Sequence, residues 1–159
     1  MPLTTGIHHV ALVTADLDRL VDFYVSVFEA AVLVDMTEGG LRHAMLDLGG
    51  GAALHPFALA GNPHAAPPPT VFGRGHVDHV ALKVDDAAVF ETLRARLVER
   101  GASDGTVTDF GSVRSVGFTD PDGWEGEVAI WQPGPTATFA ERIRERWPGH
   151  AAATAAAGT

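Results

Sequence analysis

Two histidines in this chain stand in blocks that repeat. His9-Val10-Ala11-Leu12 recurs as His79-Val80-Ala81-Leu82, an offset of 70 residues. A second overlay, at an offset of 72, sets Arg42 on Arg114, Leu46 on Phe118, Gly51 on Gly123 and His55 on Glu127. Imidazole and carboxylate donors suit a divalent transition metal such as Fe, Ni, Co, Mn or Zn. The chain has no cysteine, so disulfides, thiolate ligands and thiol nucleophiles are excluded. A lone His on an apolar strand is more often packed or hydrogen-bonded than ligating. What singles out His9 and His79 is their equivalence in the repeat, and the His55/Glu127 match adds to it.

Elements of matching period must carry these residues. Residues 7–14 and 77–84 are short, rich in Val, Leu and Ala, and bounded by Gly or Asp, so they read as strands. Alternation along the first puts His9, Ala11 and Val13 on one face, with His8, Val10 and Leu12 on the other. By the same rule Asp78 and His8 face away from the neighbouring histidines. Leu17, Leu20, Val21, Tyr24, Val27 and Phe28 recur at helical spacing behind Asp16, a candidate N-cap. Val89, Phe90, Leu93 and Leu97 do so behind Asp85 or Asp86, and Gly101 is a natural stop. Three short strands follow each helix, near 31–36, 42–48 and 52–58, then near 105–110, 113–119 and 124–131.

The chain is therefore a tandem duplication of a strand–helix–three-strand unit. One domain over 1–133 holds a first module at about 6–58, a Pro-rich linker at 59–75 and a second module at about 76–133. Beyond it, Thr138 and Glu141 form a possible capping box for a helix reaching Trp147, followed by an Ala-rich tail within 134–159.

Other candidates carry weaker signals. His8, His43, His64, His76 and His150 lack a repeat partner and read as surface residues or neighbours of the site. Arg42 and Arg114 could hold a substrate carboxylate or phosphate, but a salt bridge is the ordinary role. Tyr24 lies on the apolar helix stripe and reads as core. Glu125 reads as a solvated neighbour of Glu127. Gly49-Gly50-Gly51 reads as a hairpin turn, because no phosphate-binding helix follows it.

Composition narrows the function class. Of 159 residues, 46% are hydrophobic and 19% charged, ample for a core and unlike a disordered chain. A formal charge of −9 and the absence of a basic run argue against nucleic-acid partners. No apolar stretch approaches a membrane span, and residues 1–6 lack the pattern of a signal peptide. A cytoplasmic protein is expected.

Three segments together resemble the vicinal-oxygen-chelate superfamily of glyoxalases, bleomycin-resistance proteins and extradiol dioxygenases. The two His-Val-Ala-Leu blocks look like its first strands. Asp16-Leu17 through Phe23-Tyr24 resembles its first helix, and Asp120-Pro121-Asp122-Gly123 through Glu127 its final hairpin. The resemblance covers roughly residues 6–132. It implies an α+β fold in which two βαβββ modules form a curled, mixed eight-stranded cup. It also implies a metal held by His9, His55, His79 and Glu127, where His55 departs from the usual Glu or Gln. Homodimers are implied as well, with a small-molecule substrate presenting adjacent oxygens.

Several reactions fit that expectation. Four protein ligands suit a glyoxalase- or epimerase-like lyase or isomerase, with Glu127 as first choice of base and His55 as second. Three ligands, His9, His79 and Glu127, would instead suit an Fe(II) extradiol dioxygenase, leaving His55 as an acid–base residue. A metal-free antibiotic-binding protein would need none of the four.

Overall fold

The computed structural model describes residues 2–65 and 77–148. It divides into two compact units, Met1–Pro69 with Pro121–Gly123, and Thr70–Asp120 with Trp124–Thr159. Residues 66–75 of the expected linker, and the Ala-rich tail, lie outside the described residues. Among those described, no helix is long and apolar enough to cross a membrane.

The first unit contains β1 (His9–Val13), α1 (Leu17–Phe28), β2 (Ala31–Glu38), β3 (Leu41–Asp47) and β4 (Ala53–Leu59). Its strands form a mixed sheet of order β1-β4-β3-β2, with β1 parallel to β4 and the other pairs antiparallel. The second unit contains β5 (Val80–Val84), α2 (Ala87–Glu99), β6 (Val107–Asp109), β7 (Val113–Thr119), β8 (Glu125–Trp131) and β9 (Ile143–Glu145). Its order is β5-β8-β7-β6-β9, again with the first strand parallel to the last strand of the module. Neither sheet closes on itself, and the class is α+β.

Local chemistry explains the element ends. Asp16 caps α1 by accepting from the Arg19 amide at 3.0 Å, and Asp86 caps α2 by accepting from Ala88 and Val89. These bonds satisfy amides that the first helical turn leaves without partners. After α2, Gly101 takes φ +67° and its amide reaches the Val98 carbonyl, the left-handed stop that glycine permits. Gly49, Gly50 and Gly51 all have positive φ and turn β3 back into β4.

Each helix covers one sheet face. Leu17, Leu20, Phe23, Tyr24 and Val27 of α1 are buried, as are Ala44, Leu46 and Leu54 of its sheet. In the second unit Phe90, Leu93 and Leu97 are buried with Val107, Val116 and Val128. Full burial of each such Leu, Val or Phe contributes about 1.5–3 kcal/mol. Tyr24 is core, in keeping with its place on the apolar stripe. On β8, Gly126 leaves room for the Phe118 ring that lies over it: a Cβ there would clash with the ring carbons of Phe118.

Arg42 and Arg114 stand in ion pairs at matched places. Arg42 bonds Asp18 of α1 at 2.9 Å and Asp35 of β2 at 2.8 Å. Its hydrogen bonds hold both carboxyls below their ordinary range. Arg114 meets Glu145 of β9 at 3.2 Å and Glu91 of α2 at 3.5 Å, and lies over the Phe90 ring.

The C-terminal segment differs from the expected helix. The capping pair does form, with the Thr138 amide and hydroxyl donating to Glu141 at 2.9 and 2.7 Å. It closes only a turn. The chain then runs extended as β9, antiparallel to β6. The reason is tertiary: buried Arg94 of α2 donates to the Gly105 carbonyl at 2.7 Å, to the Glu145 carboxylate at 2.9 Å and to the Glu145 carbonyl at 3.3 Å. Trp147 lies against the same guanidinium, 5.0 Å from ring centroid to Cζ. These partners are reached together only from an extended strand, and they outweigh a weak local helix preference.

Candidate metal centre

The repeat registers agree at the residues that matter. In the first unit His9 pairs with Ala53 and Ala11 pairs with His55 across parallel β1 and β4. In the second, Ala81 pairs with Glu127 across parallel β5 and β8, and His79 lies two residues before Ala81. Within β1 a two-residue step keeps His9 on the face of Ala11; His79 just precedes β5, and its 3.9 Å approach to Glu127 puts it on the matching face. Each unit therefore presents one histidine at the start of its first strand (His9) or just before it (His79) beside one last-strand donor, with Ala between them and the helix on the other face.

In the second unit His79 Nε2 lies 3.9 Å from Glu127 Oε2. An imidazole nitrogen and a carboxylate oxygen this close are a donor pair of the kind that would suit a divalent transition metal. His79 Nδ1 lies 3.0 Å from Asp78 Oδ2. With the proton on Nδ1 donated to Asp78, the Nε2 lone pair is left for a metal, as carboxylate-supported histidine ligands require. Exchanging Asp78 for Asn should weaken metal binding about 10- to 100-fold, the usual loss when such support is removed. Calorimetric titration measures this, and an unchanged affinity would remove Asp78 from the site.

The first unit is built from imidazoles. The His9 and His55 ring centroids are 5.7 Å apart. His9 Nδ1 meets His8 Nδ1 at 2.9 Å, so Nε2 is the His9 ring nitrogen not engaged by that contact. His55 Nε2 meets His43 Nδ1 at 3.0 Å, and its ring lies 4.1 Å from that of Phe57. Burial, then the nearby His43 and His9, lower the His55 pKa. His55 is thereby favoured as the neutral imidazole, the form that ligates or accepts a proton. Its Nε2 is already committed to His43, so ligation through that atom requires His43 to release it. Among the described residues, no group of three or more His, Asp or Glu is gathered for a metal; each unit supplies a pair.

Two expectations are corrected here. His8 and Asp78 do not face away from the neighbouring histidines. β1 begins at His9 and β5 at Val80, so strand alternation does not govern residues 8, 78 and 79. The two residues are themselves repeat equivalents at the 70-residue offset, and each contacts Nδ1 of the histidine that follows it. That shared offset was the available signal. His43 left none, because its repeat counterpart is Ser115; it reaches His55 through the antiparallel register that sets His43 opposite Phe57. His64 sits in a 3-10 turn, Pro63–Ala65, and His76 and His150 lie outside the described residues.

Glu127 also lines a cleft of about 340 Å³ within the second unit, on the sheet face opposite α2. Glu125, Thr119, Ser115, Thr108 and Arg144 line it too, so the wall is polar, with carboxylates, hydroxyls and one cation.

Comparison with known proteins agrees with this architecture. A family profile described as the Glyoxalase/Bleomycin resistance protein/Dioxygenase superfamily matches residues 6–128. Among solved structures, a glyoxylase/bleomycin resistance protein/dioxygenase domain from Frankia sp. EAN1pec superposes with a TM-score of 0.66 at 23% identity, covering 81% of this chain and 99% of that one. A glyoxalase family protein from Enterococcus faecalis gives 0.60 at 26%, over 79% and 97%. A fosfomycin resistance protein from Mesorhizobium loti gives 0.56 at 20%, over 87% and 97%. No curated protein matches the chain in sequence. With the profile spanning both modules and their donor pairs, this chain belongs to the glyoxalase/bleomycin resistance protein/dioxygenase superfamily.

Proposed function

We propose that this protein is a metal-dependent lyase or isomerase of glyoxalase or epimerase type, acting on a small substrate that presents two adjacent oxygens. The observation that supports it most is the matched register of Ala11 with His55 and of Ala81 with Glu127, which leaves His9 near His55 and His79 Nε2 3.9 Å from Glu127. His9, His55, His79 and Glu127 are the proposed ligands of a divalent transition metal, and a homodimer is the proposed working form. When bound, the ion supplies Lewis-acid stabilisation of the negative charge that develops beside a carbonyl on loss of a neighbouring proton. Glu127 accepts that proton on a carboxylate oxygen and returns it to the adjacent carbon, because it lines the cleft and is only half-buried. His79 is held in one tautomer by Asp78. His55, kept neutral by its surroundings, is the second proton acceptor, and His43 is placed to take up or supply a proton through their shared hydrogen bond.

The His43–His55 bond also supports a second reading. If His55 stays with His43, the ligands reduce to His9, His79 and Glu127, the two-His-one-carboxylate set of an Fe(II) extradiol dioxygenase. One experiment divides the two. Under anaerobic conditions in D2O, with Ni(II) or Zn(II), a lyase or isomerase incorporates solvent deuterium beside the carbonyl of its substrate. The test set is a panel of hydroxy-ketones and 2-oxo compounds. Dependence on Fe(II), with O2 consumed in step with a catechol, would overturn the proton-transfer reading.

A further inference from the structure

The cleft of the second unit carries a cation that the reaction proposed above does not use. Strand alternation sorts this sheet cleanly. Val107, Val116 and Val128 are buried on the α2 side, whereas Thr108, Ser115, Gly117, Thr119, Glu125 and Glu127 line the cleft. The same alternation splits β9. Glu145, opposite Val107, is turned to Arg94 and Arg114, while Arg144, opposite Thr108, lines the cleft. Among the described residues, no carboxylate or hydrogen-bond acceptor engages the Arg144 guanidinium. Arg42, Arg94 and Arg114 are all paired.

Register places this cation relative to the reactive end. Thr108 pairs with Ser115, and Ser115 with Ala129, so Arg144, Thr108 and Ser115 share one row across the sheet. Gly117 pairs with Glu127 in the next row on that face, and Thr119 with Glu125 in the row beyond. Same-face rows are about 6.8 Å apart and neighbouring strands about 4.8 Å apart. The cleft's carboxylates on β8 thus stand one and two rows from Arg144 and three strands away. The lining on the Arg144 side consists of the Thr106, Thr108 and Ser115 hydroxyls, which donate to an anion, with the Asp104 carboxylate further along, where it accepts from the Thr106 amide.

We propose that Arg144, with Thr108 and Ser115, forms an anchor for a carboxylate of the substrate, on the β6–β9 side of the cleft. The substrate is then an acid whose carboxylate stands several bonds from its paired oxygens. Its carboxylate meets the planar guanidinium while its oxygens reach the Glu127 end. This placement of the reactive end rests on the proposed function; the anion anchor itself does not. β9 lies beyond the strand–helix–three-strand repeat, so specificity is supplied by an addition to the duplicated frame. Arg94 holds that addition in place through Glu145.

The test uses metal-stripped, full-length, 15N-labelled protein titrated with benzoate, and with benzamide as its uncharged counterpart. Benzoate should shift the amides of Thr108, Ser115 and Arg144, benzamide should not, and R144Q should weaken benzoate binding at least tenfold. R144K should retain part of it, since it keeps the charge and loses the fork. Fold is checked in the same spectra, because amides away from the cleft report on the sheet. The assignment is overturned if benzoate binds R144Q as well as it binds the wild type, if benzamide binds equally, or if the cleft amides do not move. Metal affinity should be equal in R144Q and wild type; a drop would make Arg144 a support of the Glu127 end and overturn its role as anchor. Failure of the benzoate titration counts against the anchor alone, and failure of the wild type to bind metal counts against the proposed function alone.

Discussion

Glu127→Ala should abolish turnover and lower transition-metal affinity by more than about a hundredfold, a larger loss than removal of a supporting residue causes. His79→Ala and His9→Ala should match it in metal binding. His55→Ala should fall short of them, because His55 Nε2 is shared with His43 and gives less to the ion at the outset. Isothermal titration with Ni(II), Co(II) and Zn(II) gives the ranking directly. A second readout is thermal stability. An ion at a hundred times its dissociation constant stabilises the native state by about 2.7 kcal/mol, and the variants should lose that increment without losing their metal-free melting temperature. If all four variants bind metal as the wild type does, the donor set is wrong. If the wild type neither binds nor is stabilised by any of these ions, the enzyme reading falls and the drug-binding members of the superfamily become the better guide.

Arg94→Met should produce the largest loss of stability away from the metal centre. Arg94 is 2% exposed and has bonds to the Gly105 carbonyl, to both the carboxylate and carbonyl of Glu145, and to Glu91. Met replaces most of the volume, so the cost lies in the polar contacts rather than in a cavity. Glu145 and Glu91 are about half exposed and rehydrate when the guanidinium is removed, which discounts the ion pairs. The Gly105 carbonyl and the Trp147 stack carry most of the remainder, for a total of about 2–3 kcal/mol. That corresponds to a fall of roughly 5–10 °C in melting temperature for a chain of this size. Amide exchange in Ile143–Glu145 should rise in parallel, because β9 loses its tie to α2. A loss under about 0.5 kcal/mol, the ordinary range for surface changes, would show that β9 holds its place by backbone pairing with β6 alone.

Much of this arrangement could be read from the residues in order. The repeated His-Val-Ala-Leu blocks, the capping aspartates and the glycines at turns are local signals, and local signals are what a one-dimensional pattern carries. A period of two was enough to place His9, Ala11 and Val13 on one face. The duplication was enough to match His55 with Glu127 before any strand pairing was known.

What escaped that reading depends on contacts between residues distant in the chain or lying just outside an element. His43 and His55 are twelve residues apart and meet only because β3 and β4 pair in one register of several that their apolar pattern allows. His8 and Asp78 escaped because alternation was extended past the first residue of the strand, where the backbone is no longer bound to it. The segment after Pro133 carries a genuine helix-start signal in Thr138 and Glu141, yet a capping box contributes only about 1 kcal/mol. The buried Arg94, fifty-one residues from Glu145, draws the same segment into a strand. Composition and spacing thus determined the duplicated frame and the residue types at its matched donor positions. Only the tertiary structure decided which histidines support which, and that a ninth strand brings Arg144 into the cleft, because those outcomes follow from long-range hydrogen bonds that have no period in the sequence.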